Sequence, residues 1–244
     1  MSEGRKLTGR VPREAIARLE FPRLAPDTLR RFAALEDLTG TASDSLDALG
    51  LRGAIPAAVL APSLPERRLV GQAVTVRNVE RDDTPSRAAS EGKGRMGEHE
   101  AYNLALPGDV VVIEGLTGAS NLGGQSAALA HRSGVSGAVV DGSYRDPQAA
   151  RALGFPIWSR GVTPITGKWR LQTVGINGRV RIAGVSVDAG DLVLADEAGI
   201  VFVPFAQVDA VLAHALRIDE GDARQRKDIE AGVDLAQIAR TRYK

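Results

Sequence analysis

An arginine and an aspartate stand side by side at the end of the segment GVSGAVVDGSYRD. The apolar run AVV predicts a buried strand over residues 137–141, and Arg145 and Asp146 follow it. Arginine can bind a carboxylate at two points, and aspartate is a hard oxygen ligand suited to Mg²⁺ or Mn²⁺. A second interpretation stays open, in which Asp146 caps a helix that begins at Pro147 and Arg145 pairs with Asp141.

A glycine-rich loop lies one helix before this strand, in the segment GLTGASNLGGQSAALA. Backbone N–H groups at the start of a helix lack intrahelical partners, and together with the helix dipole they attract an anion. A carboxylate or a phosphate fits such a site, but the same glycines also fit a loop that serves helix packing alone. The loop contains neither the Gly-Lys-Ser/Thr of a P-loop nor GxGxxG, which argues against nucleotide binding.

These segments are connected as strand, loop, helix and strand. The turn Pro-Gly-Asp at 107–109 precedes VVVIEG, which is typical of a strand covered on both faces. The alanine-rich segment 125–133 predicts the crossover helix of a βαβ unit. Because ligands of open α/β sheets bind at the carboxyl edge of the strands, we expect Arg145 and Asp146 to lie beside the glycine loop.

Further acidic residues are weaker candidates for the site. Glu98 and Glu100 open a predicted helix, but the usual ligand spacings of i, i+3 and i, i+4 are missing. A solvated helix start explains them, and a site role for one of them is the alternative. Asp196 and Glu197 fall in a tight turn between strands, where aspartate is typical.

The remaining patterns divide the chain into three parts. We predict an N-terminal arm at 1–25 that contains one short helix, an α/β domain at 26–204, and a C-terminal helical extension at 205–244. Within the domain, a long polar loop is predicted at 80–97, and residues 174–204 alternate strands with Gly and Asp turns as a β-rich layer.

Composition excludes several classes of function. The 31 Lys and Arg against 30 Asp and Glu leave a formal charge of +1, so we expect neither nucleic acid nor a membrane as partner. The absence of cysteine excludes disulfides, thiolate metal sites and cysteine nucleophiles. The N-terminus has no apolar signal region, and no stretch approaches the ~20 apolar residues of a membrane span. We therefore expect a cytoplasmic protein.

Residues 41–204 contain, in order, the segments TASDSLDALGLRGAIP, LVGQAVTVR, LPGDVVVIEG, GGQSAALAHRSGVSGAVVDGSYRD, ALGFPIWSRGVTP and DLVLADEAGIVFVP. In their order and spacing these segments resemble the RraA-like family, which includes the 4-hydroxy-4-methyl-2-oxoglutarate aldolases and the regulator of ribonuclease E activity. The resemblance implies an α/β/α sandwich of swivelling-domain type, here with a β-rich layer and helical terminal arms, assembled as a homotrimer or hexamer.

The resemblance also implies roles for the residues singled out above. Arg145 would bind the carboxylate of pyruvate, and Asp146 would bind a divalent metal, Mg²⁺ or Mn²⁺. The backbone amides of the glycine loop would complete the carboxylate site; they belong to Gly123, Gly124, Gln125 and Ser126.

One position departs from the aldolase pattern. The aldolases carry an acidic residue 21 positions before the arginine, where it holds a metal-bound water, and this chain has Gly124 there. Either Glu98 or Glu100 compensates, or the reaction differs in its proton-transfer step. A glutamate of a neighbouring subunit also holds metal waters in the aldolases, and Asp196 or Glu197 is a candidate for that role.

The leading hypothesis is a metal-dependent lyase that acts on a small 2-oxo acid. Retro-aldol cleavage of a 4-hydroxy-2-oxo diacid and decarboxylation of oxaloacetate use the same electron sink and both give pyruvate. Because Gly124 removes the expected acid, a different metal-assisted reaction on a related hydroxy or oxo acid stays open. The rival hypothesis is a non-catalytic regulator that binds a protein partner.

Overall fold

The computed structural model describes residues 6–244 and has a mixed α/β fold built around one large sheet. The strands are β1 (Ala54–Pro56), β2 (Ala61–Pro62), β3 (Leu69–Glu80), β4 (Val110–Glu114), β5 (Gly137–Tyr144), β6 (Ile157–Val162), β7 (Leu171–Ile176), β8 (Val180–Ile182), β9 (Val185–Val187), β10 (Leu192–Ala195) and β11 (Gly199–Val203). The helices are α1 (Pro26–Ala33), α2 (Leu38–Ala48), α3 (Pro85–Glu91), α4 (Glu98–Leu104), α5 (Gly124–Arg132), α6 (Pro147–Ala152), α7 (Val208–Glu230) and α8 (Leu235–Arg240), with 3-10 turns at Arg13–Ala15 and Phe205–Gln207.

The large sheet has nine strands in the order β1-β11-β10-β3-β4-β5-β6-β2, and β7 pairs with the end of β3. Its centre, from β3 to β6, is parallel, and the flanking strands are antiparallel. The predicted α/β class is therefore confirmed as a large mixed sheet with helices packed on it.

The central strands are apolar on both faces because both faces are covered. Val111 and Ile113 of β4 belong to the core beneath α4, α5 and α6. Val110 and Val112 belong to the opposite core, which the β8–β9 hairpin covers. This alternation follows from the two-residue period of a strand. A third core joins α1, α2 and α7 to β10 and β11.

The predicted loop at 80–97 is wrong in part, because it contains α3. Thr84 caps this helix by accepting a hydrogen bond from the amide of Arg87 at 3.3 Å, and Pro85 occupies the first helical position. Gly92 ends the helix in the left-handed conformation. Short polar helices of this kind have a weak apolar period, so their caps are the better signal.

The predicted arm begins outside the described residues, which start at Lys6. The short helix expected within it is a single 3-10 turn at Arg13–Ala15. Directly after the turn, the amide of Ala17 donates to the carbonyl of Ile176 at 2.9 Å. The arm therefore pairs with the end of β7 instead of extending a helix. The division into three parts stays a prediction.

The parallel arrangement positions the site. β4 and β5 are adjacent and parallel, so the loop after β4 and the residues after β5 meet at one edge of the sheet.

Within residues 6–244, no helix combines the length and apolar character needed to cross a bilayer.

Candidate functional site

Asp146 follows β5 and is held in an unusual backbone conformation. Its φ of 60° and ψ of 52° lie in the left-handed region, which is strained for a residue other than glycine. Its side chain makes no capping bond to α6. Instead, Oδ2 accepts a hydrogen bond from the amide of Gly124 at 3.0 Å. Asp146 does occupy the N-cap position of α6, with Pro147 as the first helical residue, but its carboxylate does not cap that helix and instead binds the start of α5.

Arg145 lies next to this carboxylate with its side chain 39% exposed. Its Nε is 3.3 Å from Oδ2 of Asp146, and its amide donates to the carbonyl of Leu122 at 2.8 Å. Asp141 pairs with Arg160 instead, so the alternative pairing of Arg145 with Asp141 is also wrong. The guanidinium therefore lies at the cavity described below and not along the strand.

The glycines of the loop allow α5 to approach Asp146 closely. A Cβ at Gly123 would lie 3.3 Å from Oδ2 of Asp146. A Cβ at Gly124 would lie 2.9 Å from the Cβ of Ala149 and 3.1 Å from that of Asp146, so a side chain there has no room. Because the amide of Gly124 already donates to Asp146, the following amides of α5 are the ones left for a ligand.

These residues line one cavity of about 610 Å³. The structure brings together in it Arg145, Asp146, Gly123, Gly124, Gln125, Ser126 and Glu98. Sequence reasoning missed Arg10 from the arm, and Lys168 and His99, which also line the cavity. No local motif marks these three residues, because their place depends on how the arm, α4 and the segment after β6 pack around the cavity. With three cationic and two carboxylate side chains on its wall, the cavity suits an anionic ligand.

The two glutamates of α4 have different surroundings. Glu98 is 7% exposed, and its Oε1 accepts a hydrogen bond from Oγ of Ser126 at 3.0 Å. Glu100 is fully buried and accepts hydrogen bonds from the amide of Thr8 at 2.8 Å, from the Thr8 hydroxyl, and from Asn103 at 2.9 Å. Glu100 therefore anchors the arm, and only Glu98 of the pair reaches the cavity.

The turn between β10 and β11 lies elsewhere in the same protomer. Asp196 accepts hydrogen bonds from the amide and hydroxyl of Thr39, at 3.0 Å and 2.6 Å, and from the amide of Ala198 at 2.9 Å. Neither Asp196 nor Glu197 lines the cavity. The structure of one chain thus does not join them to Arg145 and Asp146.

The donor chemistry of the cavity fits a hard divalent cation held by few protein ligands. Within residues 6–244, no group of three or more Asp, Glu or His side chains has the arrangement of a metal site. Mg²⁺ nevertheless needs only one or two carboxylates, since it keeps several waters and takes oxygens from its ligand. Asp146 meets that need, because one carboxylate oxygen is oriented by Gly124 and its side chain is 44% exposed.

Known proteins are similar to this chain in both sequence and fold. The sequence profile of the RraA-like family, described as Aldolase/RraA, matches residues 39–202. A protein of Halalkalibacterium halodurans named "Putative 4-hydroxy-4-methyl-2-oxoglutarate aldolase" is 32% identical over 152 residues, which cover 61% of this chain and 72% of the relative.

Two solved structures superimpose on most of the chain. An uncharacterized protein from Pseudomonas syringae pv. tomato has a TM-score of 0.75 and 26% identity, and the match covers 90% of this chain and 100% of that one. Streptomyces coelicolor RraAS2, an unusual member of the RNase ES inhibitor RraA protein family, has a TM-score of 0.67 and 27% identity, covering 87% and 99%. Because the family profile spans the sheet from β3 to β10 together with α4, α5 and α6, this chain belongs to the RraA-like family.

Proposed function

We propose that this protein is a divalent-metal-dependent lyase that cleaves a small 2-oxo acid and releases pyruvate. The observation that carries the proposal is the meeting of Arg145, Asp146 and the first turn of α5 at one cavity. The name of the H. halodurans relative supports the same class of reaction. Substrates of this class are 4-hydroxy-2-oxo diacids, cleaved by a retro-aldol reaction, and oxaloacetate, cleaved by decarboxylation.

The carboxylate of the 2-oxo acid is bound from two sides. The guanidinium of Arg145 offers a planar pair of N–H donors, which matches the two oxygens of a carboxylate. The amides of Gln125 and Ser126, at the start of α5, add donors and the positive end of the helix dipole. Together they orient the 2-oxo group toward Asp146.

Asp146 is the residue that would hold Mg²⁺ or Mn²⁺. When bound, such a cation stabilises the negative charge that develops on the 2-oxo oxygen during carbon–carbon cleavage. Asp146 contributes a carboxylate whose direction is set by the Gly124 amide and by its own left-handed backbone. Arg145, whose Nε lies 3.3 Å from Oδ2, helps to hold that carboxylate in place.

A coupled assay of pyruvate release tests the proposal. The substrates are 4-hydroxy-4-methyl-2-oxoglutarate and oxaloacetate, each with Mg²⁺ or Mn²⁺ and with a chelator. We expect turnover of at least one substrate that the chelator abolishes. An absence of metal-dependent pyruvate release from both would reject the lyase.

A second function is favoured by two observations. The chain resembles RraAS2, whose family is one of RNase ES inhibitors, and Gly124 stands where the aldolases carry an acid. The protein would then be a non-catalytic regulator that binds a protein partner. A binding assay with purified ribonuclease E separates the two functions, since failure to form a stable complex argues against the regulator.

Turnover of a hydroxy acid in place of the two 2-oxo acids would indicate a different metal-assisted reaction.

The family also leads us to expect a homotrimer or hexamer. In such an assembly the turn that contains Asp196 and Glu197 could face the cavity of a neighbouring copy. Light scattering coupled to size-exclusion chromatography measures the mass of the assembly, and a monomer would contradict the expectation.

A further inference from the structure

Glu98 has a carboxylate oxygen that is buried and unpaired within the described part of the chain. Oε1 is bound to Ser126, but Oε2 has no hydrogen-bond partner among residues 6–244. Burial of a carboxylate oxygen without a donor is unfavourable. Such a group is retained where function requires it, and Glu98 lines the cavity of Arg145 and Asp146.

A chain of hydroxyl groups fixes which oxygen of Glu98 is available. The hydroxyl of Tyr102 lies 2.8 Å from Oγ of Ser126, and Oγ lies 3.0 Å from Oε1 of Glu98. Each hydroxyl has one proton to donate. Since an ionised Glu98 can only accept, Ser126 donates to it and Tyr102 donates to Ser126. Oε1 is therefore held in place, and Oε2 is the oxygen of Glu98 that no residue among 6–244 binds.

The other acidic groups at or near the cavity are already committed. Asp146 is the second carboxylate on its wall, and its Oδ2 accepts from Gly124 and contacts Arg145. Position 124 has no room for a further acid, because a Cβ there would meet Ala149 at 2.9 Å. Both carboxylate oxygens of Glu100 already accept hydrogen bonds, one from Thr8 of the arm and the other from Asn103.

We propose that Glu98 is the proton-transfer residue of this cavity, a role that rests on the lyase function proposed above. In a retro-aldol reaction, Oε2 takes the proton of the C4 hydroxyl, and the electrons of that O–H bond form the new carbonyl. The C3–C4 bond breaks at the same time, and its electron pair passes into the enolate of pyruvate. Protonated Glu98 then returns the proton to C3, which becomes the methyl group of pyruvate. The proton is conserved, and the carboxylate is restored.

Decarboxylation of oxaloacetate makes a different demand on this residue. The carboxylate leaves as CO₂ and gives the same enolate without removal of a hydroxyl proton. Water can then protonate the enolate after cleavage. Glu98 is therefore required for aldol cleavage and is dispensable for decarboxylation.

The test compares Glu98→Gln with the parent protein on both substrates. We expect cleavage of 4-hydroxy-4-methyl-2-oxoglutarate to fall about 10²–10⁴-fold, the usual contribution of a general base, and decarboxylation of oxaloacetate to stay within roughly fivefold. Exchange of the methyl protons of pyruvate in D₂O, followed by NMR, should be lost in the variant. Glu98→Asp should restore part of both lost activities. Glu91→Gln is the matched control, because Glu91 pairs with Arg87 on the surface and does not line the cavity.

Thermal melting separates a catalytic role of Glu98 from a structural one. If Glu98 is catalytic, the chelator-treated Glu98→Gln protein should melt at the parental temperature or above it, since the variant removes a buried carboxylate oxygen that has no partner among residues 6–244. If Glu98 is structural, the variant should melt below the parent. Equal changes in both cleavage reactions, including no change, would overturn the proposal. If the parent shows neither cleavage nor proton exchange, the lyase function itself fails. If the parent is active and Glu98→Gln keeps aldol cleavage, only the role of Glu98 fails.

Discussion

The amide of Gly124 donates a hydrogen bond to Oδ2 of Asp146 across 3.0 Å, joining the first turn of α5 to the residue that precedes α6. A glycine favours this close approach, since a Cβ at position 124 would lie 2.9 Å from the Cβ of Ala149 and 3.1 Å from that of Asp146. In this chain α5 and α6 pack too closely for a carboxylate side chain between them.

The close packing predicts that Gly124→Ala is destabilising. Crowding against Ala149 should cost about 1–3 kcal/mol of unfolding free energy, which exceeds the gain of up to about 1 kcal/mol from helix propensity. Denaturant unfolding measures the difference. An alanine variant as stable as the parent would show that the helices can separate without cost.

Ala149→Gly is the second variant of a double-mutant cycle with Gly124→Ala. Removing the Cβ of Ala149 opens the space that a side chain at 124 needs. In a double-mutant cycle we expect a favourable coupling of about 1 kcal/mol or more between Gly124→Ala and Ala149→Gly. Additive effects would contradict direct contact between the two positions.

Asp146→Asn should remove the dependence on metal and keep the fold. Asparagine tolerates the left-handed backbone and can still accept from the Gly124 amide. We expect the loss of metal-dependent turnover to exceed the roughly 10–100-fold that follows removal of an outer partner of a metal. The stabilisation of the parent by Mg²⁺ or Mn²⁺ in a thermal melt should also disappear. Retention of that stabilisation would place the metal elsewhere.

Arg145→Ala should act mainly on substrate binding. Loss of a charge-assisted hydrogen bond of about 1.5–3 kcal/mol corresponds to a rise in KM of roughly 10–100-fold. Arg145→Lys should recover part of the affinity, because lysine keeps the charge but not the planar pair of donors. Steady-state kinetics separates KM from kcat, and an unchanged KM would remove Arg145 from the carboxylate site.

Arg10 should contribute to the choice between mono- and dicarboxylates. Arg10 lines the cavity from the arm, which Glu100 anchors through Thr8. We expect Arg10→Ala to raise KM for a 2-oxo diacid about tenfold, the equivalent of one charge-assisted bond. Inhibition by pyruvate, which has a single carboxylate, should not change. Arg31→Ala, which removes the same charge outside the cavity, is the control. An equal rise in KM for both variants would show that only the net charge of the protein matters, and not a contact between Arg10 and the substrate.

Tyr102 predicts how stability changes in alkali. Burial, and secondarily the charge of Glu98, raises the pKa of Tyr102 well above its usual value of 10.0. Because the folded pKa is higher than the unfolded one, the protonated phenol stabilises the fold below pH 10, and this contribution is lost as the pH rises further. The unfolding free energy of Tyr102→Phe should therefore fall less steeply than that of the parent between pH 9 and pH 11. Parallel curves would show that Tyr102 does not titrate with folding.

Local signals were sufficient for the framework of the site. The apolar run of β4, the glycine loop, the alanine-rich α5 and the run that forms β5 each depend on neighbouring residues in the chain, so their order predicted a βαβ unit. That unit places Arg145 and Asp146 beside the loop, as the structure has them. The short helix α3 was missed because its caps, and not an apolar period, define it.

Tertiary packing decided which acids reach the cavity and which do not. Glu98 and Glu100 are two residues apart on α4, yet one lines the cavity and the other holds the arm. The contact of Glu98 with Ser126 spans 28 positions, and the arm brings Arg10 to the cavity from outside the segment that matches the family. Such contacts depend on how α4 and the arm pack against α5. The sequence alone therefore determined the strand ends that carry Arg145 and Asp146, whereas the packing of distant segments decided which further charges join them.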